Sequence, residues 1–520
     1  MCTARYMTRV GWRCLHQSVQ QVCLWLLALA FLEPCSEIAS AGEPQQPHII
    51  LIMLDDVGYG DFGCHGNPVI RTPRVDGFYR ESLRFTDFHV SPTCSPTRSA
   101  LMTGRHEFKN GVTHTIFERE RLTLSAVTIA QQLQSAGYTT GVFGKWHLGD
   151  EDAYQPERRG FDETYIHGAG GIGQTYPGSG GDAPGNSNFN PAILHNGKFE
   201  KTQGYCTDLF FDQALRWLNE RRTGAKPCFL YITPNAAHSP HDVPEEWTAR
   251  YAGKVPELET AKFFGMIENI DFNFGRLLDK LSEWNLANDS LVIFMTDNGG
   301  TNGVSLFNAG LRSGKGTPYQ GGTRVPALWR WPNRFRGGVD VAALTAHIDI
   351  FPTLGEIAGS QLADPARQQV EGRSLVPLLE NPGAVWPDRF LVTHVGRWPW
   401  GQVADWKFRN CSIRNQRFTL VNNSELYDLA HDPGEKRNVL DQHPDVVQSL
   451  RAEYDRWWED VLPRLVNEQQ LGPPVNPFKE RYWKQFGGGP TPELLEQMNP
   501  QKARTAEPAA KPKQKRKQKS

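Results

Sequence analysis

The chain has 520 residues, of which 39% are hydrophobic and 22% are charged, and its formal net charge is -1. This length allows a large buried core and favours more than one domain. The balanced charge argues against a nucleic-acid-binding protein, which would carry a strong basic excess over a whole domain.

The first 41 residues have the three-part pattern of a secretory signal peptide. Three arginines precede an apolar run at residues 22–32, no acid occurs before Glu33, and the small residues 39–41 offer a cleavage site. The run is shorter than the roughly 20 residues that span a bilayer. We predict a secreted or periplasmic protein without a transmembrane anchor after signal cleavage; the alternatives are a non-cleaved anchor and a mis-assigned start codon.

Apolar runs and helical patterns alternate in the first two thirds of the chain. Residues 49–54 form an unbroken apolar run, as expected for a strand of a parallel sheet covered on both faces. The alternation predicts an α/β domain with a large, mostly parallel central sheet flanked by helices. Further strands are predicted at 141–143, 229–233 and 291–295, and helices at 124–137, 210–222 and 262–281.

The pattern changes beyond about residue 375. Short polar strands at 390–394 and 418–421 precede a helix with one apolar face, formed by Val447, Leu450, Tyr454, Trp457 and Val461. From Lys502 onward the chain holds eight Lys or Arg residues and one Glu. We predict a signal peptide at 1–41, an N-terminal α/β domain at 42–375, a smaller C-terminal α+β subdomain at 376–489 and a disordered basic tail at 490–520.

Two features have a structural and a functional interpretation. Residues 168–190 are rich in Gly, Pro, Ser and Asn and predict a loop, which either borders a substrate pocket or is a plain surface loop. Trp398, Trp400 and Trp406 could stack on sugar rings or pack within the C-terminal subdomain.

Residues 94–105 read Cys-Ser-Pro-Thr-Arg-Ser-Ala-Leu-Met-Thr-Gly-Arg and predict a short helix. Pro96 suits its first turn and Gly104 its end. Cys94 would lie at the helix N-terminus, where backbone N–H groups and the helix dipole favour an anion. Arg98 lies on the same helix face and adds positive charge. The pattern indicates a reactive cysteine of lowered pKa or an anion site; a buried cysteine beside a helix cap is the structural alternative.

Polar side chains follow two of the predicted strands. Asp55 and Asp56 end the first, and Asp297 and Asn298 end a later one. Ligand sites of open α/β sheets lie at the carboxyl ends of the strands, and hard cations prefer oxygen ligands. The pattern predicts one metal site rather than two charged loop starts, and its oxygen ligands argue against zinc.

Further cationic and imidazole groups follow strands or lie in glycine-rich segments. Lys145 and His147 are two residues apart, so an extended chain would point them to the same side. His238 comes just after a predicted strand, and Lys315 lies between two glycines that allow close approach to an anion. His241 has a weaker claim to a site.

The segment Cys94-x-Pro96-x-Arg98, with the following Ser-Ala-Leu-Met-Thr-Gly-Arg, resembles the signature of the type I sulfatase family of the alkaline phosphatase superfamily. Gly-Lys-Trp-His-Leu-Gly at 144–149 also matches that family, and the resemblance extends to about Leu440. It implies an alkaline-phosphatase-like fold and hydrolysis of aryl or carbohydrate sulfate esters to alcohol and inorganic sulfate. The family often has Glu where this chain has Gln320, which we interpret as a change in loop support.

The same resemblance implies a role for each candidate residue. Cys94 would be oxidised to formylglycine by a formylglycine-generating or anaerobic maturation enzyme, and its hydrate would attack sulfur. One divalent metal, calcium rather than magnesium, would be held by Asp55, Asp56, Asp297, Asn298 and the modified Cys94. Arg98 would orient the nucleophile, His147 would act as base, and the sulfate and leaving group would be bound by Lys145, His238 and Lys315.

With Cys94 modified, four cysteines remain outside the signal peptide. Cys64, Cys206, Cys228 and Cys411 form two disulfides or stay reduced, and the sequence does not decide between these.

Three other functions are weighed against sulfate hydrolysis. A phosphoester or phosphonate hydrolase of the same superfamily shares parts of the signature. A catalytically silent protein that binds sulfated glycans would have lost site residues, and none is lost here. A transferase is disfavoured because no cofactor motif follows a predicted strand.

Overall fold

A ten-stranded sheet forms the centre of the part of the chain that the computed structural model describes, residues 46–174, 181–361, 364 and 366–499. The predicted signal peptide and residues 500–520 of the predicted basic tail lie outside these residues. The strand order is β11-β2-β10-β9-β1-β8-β4-β5-β6-β7. The strands are β1 (His48–Leu54), β2 (Leu83–Phe85), β4 (Thr139–Lys145), β5 (Glu163–His167), β6 (Ala192–His195), β7 (Lys198–Lys201), β8 (Cys228–Thr233), β9 (Ser290–Thr296), β10 (Ala327–Arg330) and β11 (Val339–Val341).

The middle of the sheet is parallel, as predicted. β9, β1, β8, β4 and β5 pair in parallel, whereas β10, β6 and β7 run antiparallel to their neighbours. β1 is buried on both faces because its alternate residues belong to two different apolar clusters: Ile49 to one and Ile50 to the other. The carboxyl ends of β9, β1, β8 and β4 therefore meet at one edge of the sheet.

Helices cover both faces of this sheet. α2, α3 and α8 pack in one apolar cluster, and α1, α4 and α6 pack in the other. The helices are α1 (Pro73–Glu81), α2 (Cys94–Thr103), α3 (Ile129–Ser135), α4 (Cys206–Arg221), α5 (Glu245–Thr248), α6 (Leu258–Glu283), α7 (Gln320–Thr323), α8 (Ile350–Ile357), α9 (Ala366–Gln369), α10 (Val376–Glu380), α11 (Pro444–Val461), α12 (Pro477–Phe486) and α13 (Pro492–Met498).

A second, antiparallel sheet forms the C-terminal part, as predicted from the change in pattern. It comprises β13 (Leu391–His394), β14 (Cys411–Arg414), β15 (Phe418–Val421) and β16 (Glu425–Asp428), and α11 packs against it. A separate two-stranded pair is formed by β3 (Phe88–His89) and β12 (Thr345–Ala346). Trp398 is buried in this C-terminal core and Trp406 packs against it, which favours the packing interpretation for both.

Two helix predictions need correction. The helix predicted at 124–137 begins at Ile129, because Thr128 and Gln131 form a capping box that starts it there. The tail predicted to be disordered from residue 490 contains α13, whose first turn is capped by the Thr491 side chain. Apolar periodicity did not reveal either boundary, since both are set by a side chain that caps the backbone.

Two parts of the predicted C-terminal subdomain, residues 376–489, pack on the central sheet. Leu378 and Leu379 of α10 belong to an apolar cluster of the central sheet. Phe478 of α12 is buried against Phe199 of the edge strand β7, with ring centroids 5.8 Å apart. The chain thus returns to the central sheet after completing the small one.

We predict that Phe478→Ala destabilises the protein by about 3–5 kcal/mol, because it leaves a cavity between α12 and the central sheet. Phe486→Ala is the matched control, since that ring lies on the same helix but is 40% exposed. Its effect should be on the order of 0.5–1 kcal/mol. Denaturant unfolding measures both; equal effects would mean that α12 is not docked.

Candidate active site

Cys94 is the first residue of α2, and all ten residues of that helix are buried. Thr93 precedes it in extended conformation, and Gly104 ends the helix with a φ of 70°. A side chain at Gly104 would also meet the Phe351 ring, because a Cβ there would lie 2.9 Å from Phe351 Cβ. The predicted helix with Cys94 at its N-terminus is therefore confirmed.

Four acidic or thiol side chains converge at the N-terminus of α2. Asp55 and Asp56 follow β1, and Asp297 follows β9, whose last residue pairs with Leu54 in parallel register. One ligand atom from each of Asp55, Asp56, Asp297 and Cys94 can be chosen so that all lie within 4.8 Å of one another. Adjacent parallel strands place these residues together.

The polar atoms of this cluster fit a hard cation. Asp55 Oδ1 and Asn298 Oδ1 are buried and have no hydrogen-bond partner among the described residues. The Asn298 amide nitrogen donates to Asp56 Oδ1 at 3.1 Å, so its own oxygen stays free. Unpaired buried oxygens are costly unless a cation satisfies them. The predicted ligand set is thus brought together.

Three cationic side chains balance the three carboxylates. Lys145 Nζ donates to Asp55 Oδ2 at 2.6 Å, and Arg98 Nη2 donates to Asp297 Oδ2 at 2.8 Å. Lys315 pairs with Asp56 and lies 3.5 Å from Cys94 Sγ. Against the cost of burial, Lys315 holds the pKa of Asp56 well below its usual value. Burial and the charge of Asp55 raise the pKa of Asp297 to about 6.

The expectation of a cysteine with lowered pKa is wrong for the unmodified thiol. Burial raises the pKa of Cys94 to about 12, although Lys145 and Lys315 oppose this shift. Loss of hydration outweighs the helix N-terminus and the nearby cations. Burial therefore disfavours the thiolate form of the unmodified Cys94.

His238 reaches the cluster from the loop after β8. Its Nδ1 lies 2.7 Å from Ser239 O, and its Nε2 lies 3.7 Å from Asp56 Oδ2. Gln174 Nε2 lies 3.1 Å from His238 Nδ1. Because Gln174 belongs to the glycine-rich loop, the described part of that loop contacts the site, which favours the first of its two interpretations.

His147 lies beside this loop, but the extended chain predicted for residues 145–147 is not what places it there. Its φ of 59° is left-handed, so residues 145–147 are not extended and simple alternation does not apply. The imidazole Nε2 lies 3.0 Å from Thr115 O and 3.2 Å from Glu120 Oε2. A Cβ built on Gly170 would lie 2.9 Å from both His147 Cε1 and Gln174 Oε1, so only glycine fits between them.

Sequence comparison assigns the chain to a family. Residues 47–360 match the sulfatase family model, and residues 314–459 match the model described as N-sulphoglucosamine sulphohydrolase, C-terminal. The chain belongs to the sulfatase family. Members of this family are sulfuric ester hydrolases that generally use a metal ion.

Named sulfatases resemble this chain over most of its length. Arylsulfatase A of Homo sapiens is 30% identical over 477 residues, covering 82% of this chain and 89% of that protein. N-acetylgalactosamine-6-sulfatase of Homo sapiens is 28% identical over 461 residues, covering 77% of this chain and 82% of that protein.

Solved structures share the fold. Ps i-CgsB in complex with k-i-k-neocarrahexaose has a TM-score of 0.69 and 27% identity, and the match covers 89% of this chain and 99% of that one. The phosphonate monoester hydrolase of Agrobacterium radiobacter has a TM-score of 0.57 and 20% identity, with 78% and 96% covered. The second likeness concerns the fold alone.

Other candidate residues of this sulfatase lie elsewhere. His241 pairs with Glu259 at 3.1 Å and has no contact with the acidic cluster. The backbone N–H of Gln320 donates a hydrogen bond to Glu435 Oε2, at 2.9 Å, and this contact supports the loop.

The described cysteines form no disulfide: Cys64, Cys94, Cys206, Cys228 and Cys411 are all free. No described helix is long and apolar enough to cross a membrane.

Three groups that hold the site residues are not evident from the sequence. Glu120 and the Thr115 carbonyl contact His147, and the Thr233 hydroxyl accepts a hydrogen bond from Arg98. Residues 113–120 have no strand or helix periodicity that points to a site. Thr233 ends a predicted strand at the carboxyl edge, and this position was the one available signal.

Proposed function

We propose that this sulfatase hydrolyses aryl or carbohydrate sulfate esters after Cys94 has been oxidised to formylglycine. The observation that supports this most is the burial of Cys94 at a helix N-terminus between Lys315 and three carboxylates. A buried thiol whose pKa is raised is a poor nucleophile, so the site suits an oxidised side chain better than a thiolate. The sugar-bound structural neighbour supports a carbohydrate substrate.

Asp55, Asp56, Asp297 and Asn298 are the residues that would hold one divalent cation, with an oxygen of the modified residue 94. Their oxygen atoms favour Ca²⁺ or Mg²⁺ over zinc, and six to eight oxygen ligands are typical of Ca²⁺. When bound, the cation would offset the carboxylates and polarise a sulfate oxygen, which frees Lys145 and Lys315 to donate to the ester.

The positions of the protein side chains suggest the role of each in binding and proton transfer. Arg98 is fixed by Asp297 and by Lys145 O, at 2.8 and 3.0 Å, and it orients the start of α2. Lys145, Lys315 and His238 would bind the sulfate and stabilise its negative oxygens. His238 and Lys315 would donate to the leaving oxygen. His147 accepts a proton at its unpartnered Nδ1.

The proposal includes processing of the chain. The signal pattern of residues 1–41 supports export to the periplasm or the extracellular medium. Oxidation of Cys94 requires a formylglycine-generating or anaerobic maturation enzyme, which must act on the unfolded chain because Cys94 is 2% exposed after folding. The domain limits at 42–375 and 376–489 remain a prediction.

We expect the mature protein to have a higher kcat/KM for 4-nitrophenyl sulfate than for 4-nitrophenyl phosphate. Cys94→Ala and Cys94→Ser should fold but lose turnover by on the order of 10⁴–10⁶-fold, as in enzymes that lose their nucleophile. Steady-state kinetics with both esters tests this. A preference for the phosphate would favour the phosphoester hydrolase, and full activity of Cys94→Ala would rule out the proposed nucleophile.

We also expect Ca²⁺ to raise the unfolding temperature of the purified protein more than Mg²⁺ does, because a bound cation stabilises the folded state. Asp55→Asn should abolish this shift. Asp61→Asn is the matched control, because Asp61 is a buried acid with an unpartnered oxygen outside the acidic cluster. Thermal unfolding with and without each cation measures the shifts. Equal losses in both variants, or no shift in the wild type, would contradict the site.

A further inference from the structure

The two ring nitrogens of His147 have different surroundings. Nε2 lies 3.0 Å from the carbonyl oxygen of Thr115, which can only accept a hydrogen bond. This carbonyl therefore favours a proton on Nε2. Nδ1 is buried and has no hydrogen-bond partner among the described residues. In the neutral ring, the lone pair of Nδ1 is thus the one available for proton transfer.

Glu120 is held next to this ring by the start of α2. It is the last residue of the 3₁₀ turn Phe117–Glu120, and its carboxyl Oε2 lies 3.2 Å from His147 Nε2. The Ser95 hydroxyl lies 3.2 Å from Glu120 O and 2.9 Å from His147 O. Ser95 directly follows Cys94, so one side chain fixes both segments relative to residue 94.

The charges around His147 explain how a neighbouring carboxylate can affect protonation of the ring. Burial, Lys145, Arg98 and His238 all lower the pKa of His147, and the Thr115 carbonyl opposes them. A proton on this ring is therefore costly in a site rich in positive charge. Glu120 is the acidic group in contact with the ring.

The environment of Glu120 favours a positively charged group next to its carboxylate. Burial raises the pKa of its carboxyl well above the usual value, and Asp150 and Glu151 raise it further, while Arg121 and Lys145 lower it. A carboxylate so placed is stabilised by a proton or by a cation beside it. A protonated His147 is such a cation, at 3.2 Å.

We propose that Glu120 is a positioning residue for His147, acting with the Thr115 carbonyl. The pair fixes the Nε2-protonated tautomer, so that Nδ1 takes the proton of the hydroxyl on residue 94 while the electron pair of that O–H bond stays on oxygen. The positive charge that forms on the ring then lies against the Glu120 carboxylate. This inference rests on the proposed function, since that hydroxyl exists only in the oxidised protein.

The tautomer is tested without any activity, in the protein with an unmodified Cys94. The protein has 15 histidines, and ¹⁵N-histidine labelling with His147→Gln as the assignment variant isolates the His147 signals. We expect the neutral Nε2-protonated ring in the wild type. In Glu120→Gln only the Thr115 carbonyl still favours a proton on Nε2, and the new side-chain amide can donate to Nε2, so the Nδ1-protonated tautomer should appear beside the Nε2-protonated one. A Nδ1-protonated ring in the wild type would overturn the proposal.

Kinetics of the mature protein with 4-nitrophenyl sulfate form the second arm. Glu120→Gln should lower kcat by about 10- to 100-fold at unchanged KM, which is part of the 10²–10⁴-fold that a positioned base supplies. Glu118→Gln is the matched control, because Glu118 is a buried carboxyl of the same turn that faces Gly472 instead of His147. The control should keep the wild-type kcat.

The outcomes separate this inference from the proposed function. A Glu120→Gln variant with wild-type kcat overturns the positioning role and leaves the sulfatase proposal intact. A mature wild type without activity on any sulfate ester overturns the proposed function, and the wild-type tautomer still tests the inference. If Glu120→Gln does not fold, Glu120→Asp replaces it. Its shorter carboxylate should lower kcat and retain part of the activity, and a wild-type kcat in that variant would overturn the positioning role.

Discussion

The burial of three carboxylates with three cationic side chains at one edge of the sheet is the constraint on which the rest of the site depends. Asp55, Asp297, Arg98 and Lys145 are each completely buried, so no charge there is screened by water. Removing one partner would leave an uncompensated charge, which costs about 3–5 kcal/mol. The cluster is stable only as a set, and its unpartnered oxygens could hold a metal cation.

This constraint explains how distant parts of the chain form one site. Parallel pairing of β9, β1, β8 and β4 places their carboxyl ends side by side, and α2 is inserted with its N-terminus at the same edge. The loop from Gly168 to Gln174 closes one side through His238. That loop is held in turn by α12, because Phe478 packs on Gly168 and Lys479 Nζ donates to the carbonyl oxygen of Asp182, whose side chain accepts from Gly168 N. Helix α12 thus supports the side of the site on which His238 lies.

Much of this arrangement was predictable from local patterns. The apolar run at 49–54 and the acids after it give both the strand and its position in a parallel sheet. The motif that begins at Cys94 predicts the helix, and through the family resemblance it implies the nucleophile and its partners, whose roles stay a prediction. The strand and helix predictions succeed because strand ends and helix termini have short sequence signals.

The remainder depends on contacts between segments far apart in sequence. Thr115 and Glu120 lie in a stretch without periodicity, and their contact with His147 exists only after folding. The raised pKa of Cys94 depends on burial by the complete fold, which a helix N-terminus in the sequence does not report. The left-handed backbone of His147 likewise has no signal in the sequence.

The proposed chemistry requires that residue 94 is an oxidised cysteine. Mass spectrometry of the tryptic peptide 85–98, from protein expressed together with a maturation enzyme, tests this requirement. We expect the mass decrease that accompanies conversion of cysteine to formylglycine. A thiol that persists at residue 94, in a host that matures other sulfatases, would contradict the account and favour a protein that binds sulfated glycans without turning them over.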